Sequence, residues 1–137
     1  MGSYVRVTVA GEAYALPVEH VLEVGELGQL RAVPGARAEL LGIKSVRGQI
    51  VPVVDLGRLL GVHRAAPPGR LLVAEALGFR VGFAIDEVTG IGDLGEPEEP
   101  DEDTESGLLA GATLSDGVLV GVLDVPRMFE SLDGTRR

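Results

Sequence analysis

Residues 11–24, GEAYALPVEHVLEV, align without a gap on residues 78–91, GFRVGFAIDEVTGI, at an offset of 67. The alignment sets Gly11 on Gly78, Val18 on Ile85, Glu19 on Asp86 and Val21 on Val88. A second block, GQIVPVVDL from Gly48 to Leu56, falls on GVLVGVLDV from Gly117 to Val125 at an offset of 69. Two ordered blocks at nearly one offset describe a duplicated unit of about 65 to 70 residues. The expected half-units are 1–67 and 68–137, each holding roughly five short strands and one short helix, the size of a small β-barrel. Neither half has the apolar residues for a large core, so the two are expected to pack on each other.

Local patterns fill in that plan. Twenty glycines in 137 residues, about twice the usual share, cut the chain into brief apolar runs and so favour many short strands. Tyr4 to Val9 mixes β-branched and polar residues in the manner of an exposed edge strand, Ala10-Gly11-Glu12 is turn chemistry, and Tyr14 to Pro17 resumes the extended pattern. Val18, Val21, Leu22 and Gly25 fall at helical spacing, enough for at most two turns. Ile50 to Val54 reads as a strand with a proline kink, followed by one helical turn in Leu56 to Leu60. Leu71 to Ala74, Val81 to Ile85, Ala112 to Leu114 and Val118 to Leu123 are further strands, and Asp116-Gly117 is a two-residue hairpin turn. Pro126 opens a short C-terminal helix that places Met128, Phe129 and Leu132 on one face.

Composition excludes several classes of function. The chain has 45% apolar residues, enough for a core, and no cysteine, which removes disulfide scaffolds, thiolate metal sites and thiol catalysis. No apolar run approaches the roughly 20 residues of a membrane span, and the N-terminal residues carry no signal-peptide pattern, so a soluble, non-exported protein is expected. The net charge of −9 is concentrated: residues 1–66 hold 7 basic and 6 acidic side chains, residues 67–137 hold 5 and 15, and seven of the acids lie between Glu96 and Glu105. With few aromatics and no basic stripe, the chain lacks what nucleic-acid binding uses.

The short motifs that could carry chemistry fail in context. Gly90-Ile91-Gly92-Asp93-Leu94-Gly95 matches a dinucleotide fingerprint, but Glu96-Pro97-Glu98-Glu99-Pro100 follows where a helix is required, which leaves a flexible turn. Asp101, Asp103 and Glu105 alternate like the start of a calcium loop, yet Ser106 and Ala112 stand where glycine and a bidentate glutamate belong. His20 and His63 have no companion ligands nearby and read as surface histidines, so no metal site is expected. Asp55 and Asp124 end the repeated strand and could pair for acid and base work, but an aspartate between strand and helix is ordinarily an N-cap. Ser45, Ser106, Ser115 and Ser131 lie in no nucleophile elbow, and nothing argues for catalysis or a cofactor. What stands out is Leu41 to Leu56, an apolar stretch interrupted by Lys44 and Arg47. There a turn arginine beside Ile43 and Val46 has the character of a contact surface, although most loop arginines are simply solvated.

At these residues the chain resembles the CheW family, the adaptor proteins of bacterial chemosensory arrays. The family pattern runs from a Y-A-L-P-V-like strand through V-x-E-V and P-x-x-x-x-G-x-x-N-L-R-G into I-x-P-V-x-D-L and a second V-G-x-x-V-D-E-V block. Tyr14 to Val18, Val21 to Val24, Leu40 to Gly48, Ile50 to Leu56 and Val81 to Val88 follow it in order. The resemblance implies an all-β fold of two SH3-like five-stranded β-barrels packed together, with short helices including one at the C-terminus, as a single domain over residues 1–137. It also implies a non-catalytic, cytoplasmic protein of chemoreceptor arrays. Its partners would be the cytoplasmic hairpin of a methyl-accepting chemoreceptor and the regulatory domain of a CheA-type histidine kinase. Glu23 and Arg47 match family positions associated with those contacts, with Val21, Gly42, Ile43, Val46 and Gly48 in the same neighbourhood. Glu23 and Arg47 are expected to pair and shape an apolar groove between the barrels. Ser45 stands where the family has asparagine. Two other readings stay open: an accessory relative that binds receptors without coupling the kinase, and a small-ligand-binding module using the inter-barrel groove.

Overall fold

Four two-residue turns, Ala10-Gly11, Arg47-Gly48, Leu77-Gly78 and Asp116-Gly117, share one backbone form. Their first residues have φ of 52, 49, 53 and 50° and their glycines 81, 80, 80 and 79°. Two successive positive φ values define the type I′ turn, whose twist matches that of the strands it joins. Each turn closes a hairpin: β1 (Ser3–Val9) with β2 (Glu12–Pro17), β4 (Leu40–Val46) with β5 (Gln49–Asp55), β6 (Arg70–Ala76) with β7 (Phe79–Ile85), and β9 (Leu109–Ser115) with β10 (Val118–Leu123). Two single strands, β3 (Val21–Glu26) and β8 (Glu87–Asp93), two α-helices, α1 (Leu56–Leu60) and α2 (Val125–Asp133), and a 3₁₀ turn at Val18–His20 complete the elements among the described residues. The structure, a computed structural model, describes residues 2–63, 66–99 and 107–133.

The strands form two five-stranded sheets, ordered β8-β1-β2-β10-β9 and β3-β6-β7-β5-β4. Moving each strand to its repeat counterpart, β1 to β6 and β2 to β7 and so on, converts the first order into the second. Each sheet therefore takes its central hairpin from one half of the sequence and its flanking strands from the other. The strands do not pair as a first barrel at 1–67 and a second at 68–137. The duplicated unit is real in its element order, but its two hairpins are exchanged between sheets, joined by the parallel pairings β2·β10 and β5·β7. Nor does a hydrogen-bonded ladder close either SH3-like sheet into a ring among the described residues. The edges of β4 and β9 are instead capped by single bridges, Arg31 to Ile43 and Glu98 to Ala112.

Alternation along the strands sorts the apolar side chains into three clusters. The main core lies between the sheets and draws Val5, Val7, Val9 and Leu16 from one and Leu72, Phe83 and Ile85 from the other, with Phe83 edge-on to Phe129 of α2 at a centroid distance of 6.1 Å. Opposite faces carry two smaller clusters, Ala15, Leu94, Val120 and Val122 on one sheet and Val53, Leu71, Val73 and Ala84 on the other. The halves thus share one core.

Several local expectations change. β1 is no edge strand: it lies between β8 and β2, which is why Val5, Val7 and Val9 are buried. Val18–His20 is a single 3₁₀ turn and Val21–Glu26 a strand; a register shift between Val21 and Glu23 breaks the two-residue alternation, and so produced the helical spacing. Gly90 to Asp93 is not a flexible turn but the end of β8, paired with β1 from Ser3 to Arg6. Asp55 and Asp124 cap helices. The Asp55 Oδ1 accepts from the N–H of Gly57 at 3.0 Å and of Arg58 at 3.4 Å, and the Asp124 Oδ1 from that of Arg127 at 3.1 Å. Asp101, Asp103 and Glu105 lie outside the described residues.

Candidate functional site

Glu23 and Arg47 are 24 residues apart in sequence and meet in space. The shifted register of β3 brings Glu23 opposite Val73 of β6, and the type I′ turn at Arg47 projects the guanidinium back toward it. The Arg47 Nε donates to the Glu23 Oε2. The pair is uneven in exposure: the arginine side chain is 81% exposed and the glutamate 30%. A carboxylate anchored in the sheet therefore holds an arginine that remains open to solvent, where its remaining N–H groups can meet a partner.

Beside the pair lies a hollow of about 340 Å³. Leu22, Val46, Val51 and Val73 line it, while Glu23, Arg47 and Arg80 supply its polar groups. Val51 and Val73 are buried, whereas Leu22 stays 46% exposed and gives the hollow an apolar lip. Arg80 ties three strands together, its Nε donating to the Glu75 Oε2 at 2.9 Å and its Nη1 to the Gln49 Oε1 at 2.6 Å. All the lining residues belong to β3-β6-β7-β5-β4 or its turn. The hollow therefore crosses one sheet and is not the expected groove between barrels.

Of the seven residues singled out from sequence, Glu23, Val46 and Arg47 converge here, with Gly48 completing the turn. The other three serve elsewhere. Val21 packs against the main core. Gly42 lets the backbone of Arg31 approach; a Cβ there would lie 2.6 Å from the Arg31 carbonyl oxygen. Ile43 exchanges two backbone hydrogen bonds with Arg31, at 3.0 and 2.8 Å, and borders a separate concavity with Lys44 and Ile50. Leu22, Val51, Val73 and Arg80 were missed: the non-local register of β3, β6 and β7 brings Leu22, Val73 and Arg80 to the hollow, and Val51 joins them from β5.

A second cavity, about 430 Å³ and mostly apolar, lies between the β5–β7 side of the same sheet and α2, lined by Pro52, Val54, Phe79, Val81, Phe129 and the loop before Leu40. His20 is half-buried, with its Nδ1 3.0 Å from the Glu75 carbonyl, where it donates; it is not a free surface histidine. Burial, helped by the Glu12 charge, pushes the Tyr14 phenol above its ordinary range. No helix among the described residues is long and apolar enough to cross a membrane.

The family model described as "CheW-like domain" matches residues 3–133. The chain is similar to the chemotaxis protein CheW of Thermotoga maritima, 28% identical over 125 residues, covering 88% of this chain and 83% of that protein. It is also similar to the protein FrzA of Myxococcus xanthus, 36% identical over 78 residues, which cover 56% of this chain and 49% of FrzA. Among solved structures, the scaffolding protein TtCheW of Thermoanaerobacter tengcongensis has the same fold, with a TM-score of 0.83, 24% identity, and coverage of 93% of this chain and 87% of that one.

Proposed function

We propose that this chain, which belongs to the CheW-like domain family, is a non-catalytic chemosensory adaptor that binds the cytoplasmic hairpin of a chemoreceptor and couples it to a CheA-type histidine kinase. The observation that carries this reading is the Glu23–Arg47 pair over an apolar hollow. An exposed guanidinium fixed by a carboxylate, beside Leu22 and Val46, is the mixture of one directional charge and apolar area that recognises a helical hairpin. An adaptor also needs a second surface. The β9–β10 hairpin offers one in Leu114 and Leu119, cross-strand partners that are 71% and 65% exposed. The protein would then work in the cytoplasm, at receptor arrays.

The test is titration of the purified chain against a receptor hairpin and, separately, against the regulatory domain of the kinase from the same cell. Binding to both is the expected result. Binding to the receptor alone makes the chain an accessory array protein. Binding to neither, with a melting temperature raised by a small apolar compound, favours the ligand-binding reading, for which the 430 Å³ cavity against α2 is the observation.

A further inference from the structure

Taken by itself, each half of the sequence pairs its strands only as isolated hairpins: β1·β2 and β4·β5 in the first, β6·β7 and β9·β10 in the second. Every pairing that builds hairpins into sheets, β1·β8, β2·β10, β3·β6 and β5·β7, joins one half to the other. A lone two-stranded hairpin is marginal in water, and the main core needs Val7 and Leu16 from the first half as well as Leu72 and Phe83 from the second. None of these contacts depends on which covalent chain supplies the other half. The two halves are linked only between Gly61, the left-handed residue that ends α1, and Gly69, whose carbonyl accepts from the Leu27 N–H at 3.1 Å. That connection contains Pro67-Pro68, which favours extended backbone, and the eight Cα–Cα steps from Gly61 to Gly69 can reach about 27 Å.

We propose that two copies of this chain form a reciprocally exchanged dimer. Residues 1–61 of each copy complete both sheets with residues 70–137 of the other. Each lobe keeps every strand pairing of the single chain, so the free-energy difference lies in the connection and in the loss of translational freedom. The candidate site becomes composite, with Glu23, Val46 and Arg47 from one copy and Val73 and Arg80 from its partner, and one particle carries two sites. A short connection gives an effective concentration on the order of 1 mM, so the single chain forms in dilute solution and the exchanged dimer when refolding occurs near that concentration.

The chain has no cysteine, which permits a direct reading of connectivity. Ser3 of β1 and Asp93 of β8 come from different halves, are Cα partners, and have side-chain oxygens 3.3 Å apart. The full chain carrying Ser3→Cys and Asp93→Cys is unfolded, refolded at about 10 µM and about 1 mM, separated by size and oxidised, with the unsubstituted chain refolded alongside. A dimer fraction at least about tenfold larger at the higher concentration, running as a covalently linked dimer on a non-reducing gel, is expected. A dimer that runs as single chains after oxidation is a surface association and overturns the proposal, as does the absence of any dimer at about 1 mM. Thr8→Cys with Glu87→Cys, partners on the same ladder, reads the same connectivity if the first pair does not oxidise.

Discussion

The β4–β5 and β9–β10 hairpins occupy equivalent places in the two sheets and differ in what they present to solvent. What holds them is nearly identical. Each is bridged, at Ile43 and at Ala112, just after a glycine that admits the bridging residue's carbonyl, Gly42 under Arg31 and Gly111 under Glu98. Each strand pair ends in an aspartate that caps a helix and faces an arginine one turn later, Asp55 with Arg58 and Asp124 with Arg127, both at 3.7 Å. That arginine reaches back to a carbonyl in both, Arg58 to Ala38 at 2.7 Å and Arg127 to Gly107 at 3.3 Å. At the tips the likeness stops: the positions equivalent to Glu23 and Arg47 hold Gly90 and Asp116. Duplication has preserved the contacts that close the backbone and released the side chains at the tips.

The comparison is most severely tested in the shared core. Phe83 and Leu16 are counterparts in the repeat and both are fully buried. Phe83→Ala is expected to lower stability by about 3 to 5 kcal/mol and Leu16→Ala by about 2 to 5 kcal/mol, from lost transfer energy and the cavity left behind. Because both residues belong to one cluster, urea unfolding should remain a single transition in each variant. Two separated transitions would mean that the sheets are independent units and that the core is divided between them.

How much of this was legible in the sequence depended on the range over which each feature is encoded. Asp116-Gly117 was readable as a two-residue hairpin turn because aspartate tolerates positive φ; Arg47 and Leu77 adopt the same form without that signal, held by the strands on either side. The segment from Val18 to Val24 misled because a register shift in a strand places apolar residues three and four apart, as a helix does. β8 was hidden by Gly90 and Gly92, which weaken a strand pattern although β1 completes its hydrogen bonds. The exchange of hairpins left no local trace, since either hairpin of the duplicated unit can pair with either set of flanking strands by pattern alone. In the site, Glu23 and Arg47 could be named from motif position, but Val73 and Arg80 come from strands whose register is set elsewhere.

Intermediate effects are expected at the caps. Asp55 accepts from two backbone N–H groups and its side chain is only 5% exposed, whereas Asp124 accepts from the backbone N–H of Arg127 and is 29% exposed. Asp55→Ala should therefore cost about 2 kcal/mol and Asp124→Ala about 0.5 to 1 kcal/mol in denaturant titrations. Asp55→Asn, which keeps the accepting oxygen, should recover most of the loss. Equal losses at the two positions would show that burial adds nothing to the cap.

Small stability effects belong to the tips, where the functional difference is expected to be largest. Arg47→Ala should change stability by less than about 1 kcal/mol, because an ion pair with so exposed an arginine is screened by solvent, and Asp116→Ala should cost about 1 kcal/mol, because alanine tolerates a φ of 50° less well than aspartate. Against a receptor hairpin, Arg47→Ala should weaken binding about tenfold and Asp116→Ala leave it unchanged. Reversing the pair, Glu23→Arg with Arg47→Glu, separates two roles for the arginine. If the ion pair merely braces the tip, the reversed pair braces it as well and affinity is retained. If the guanidinium itself meets the partner, the reversal places an acid at the exposed position and a cation in the sheet, and affinity falls at least as far as with Arg47→Ala. The unequal exposure of the two side chains, 81% against 30%, favours the second outcome.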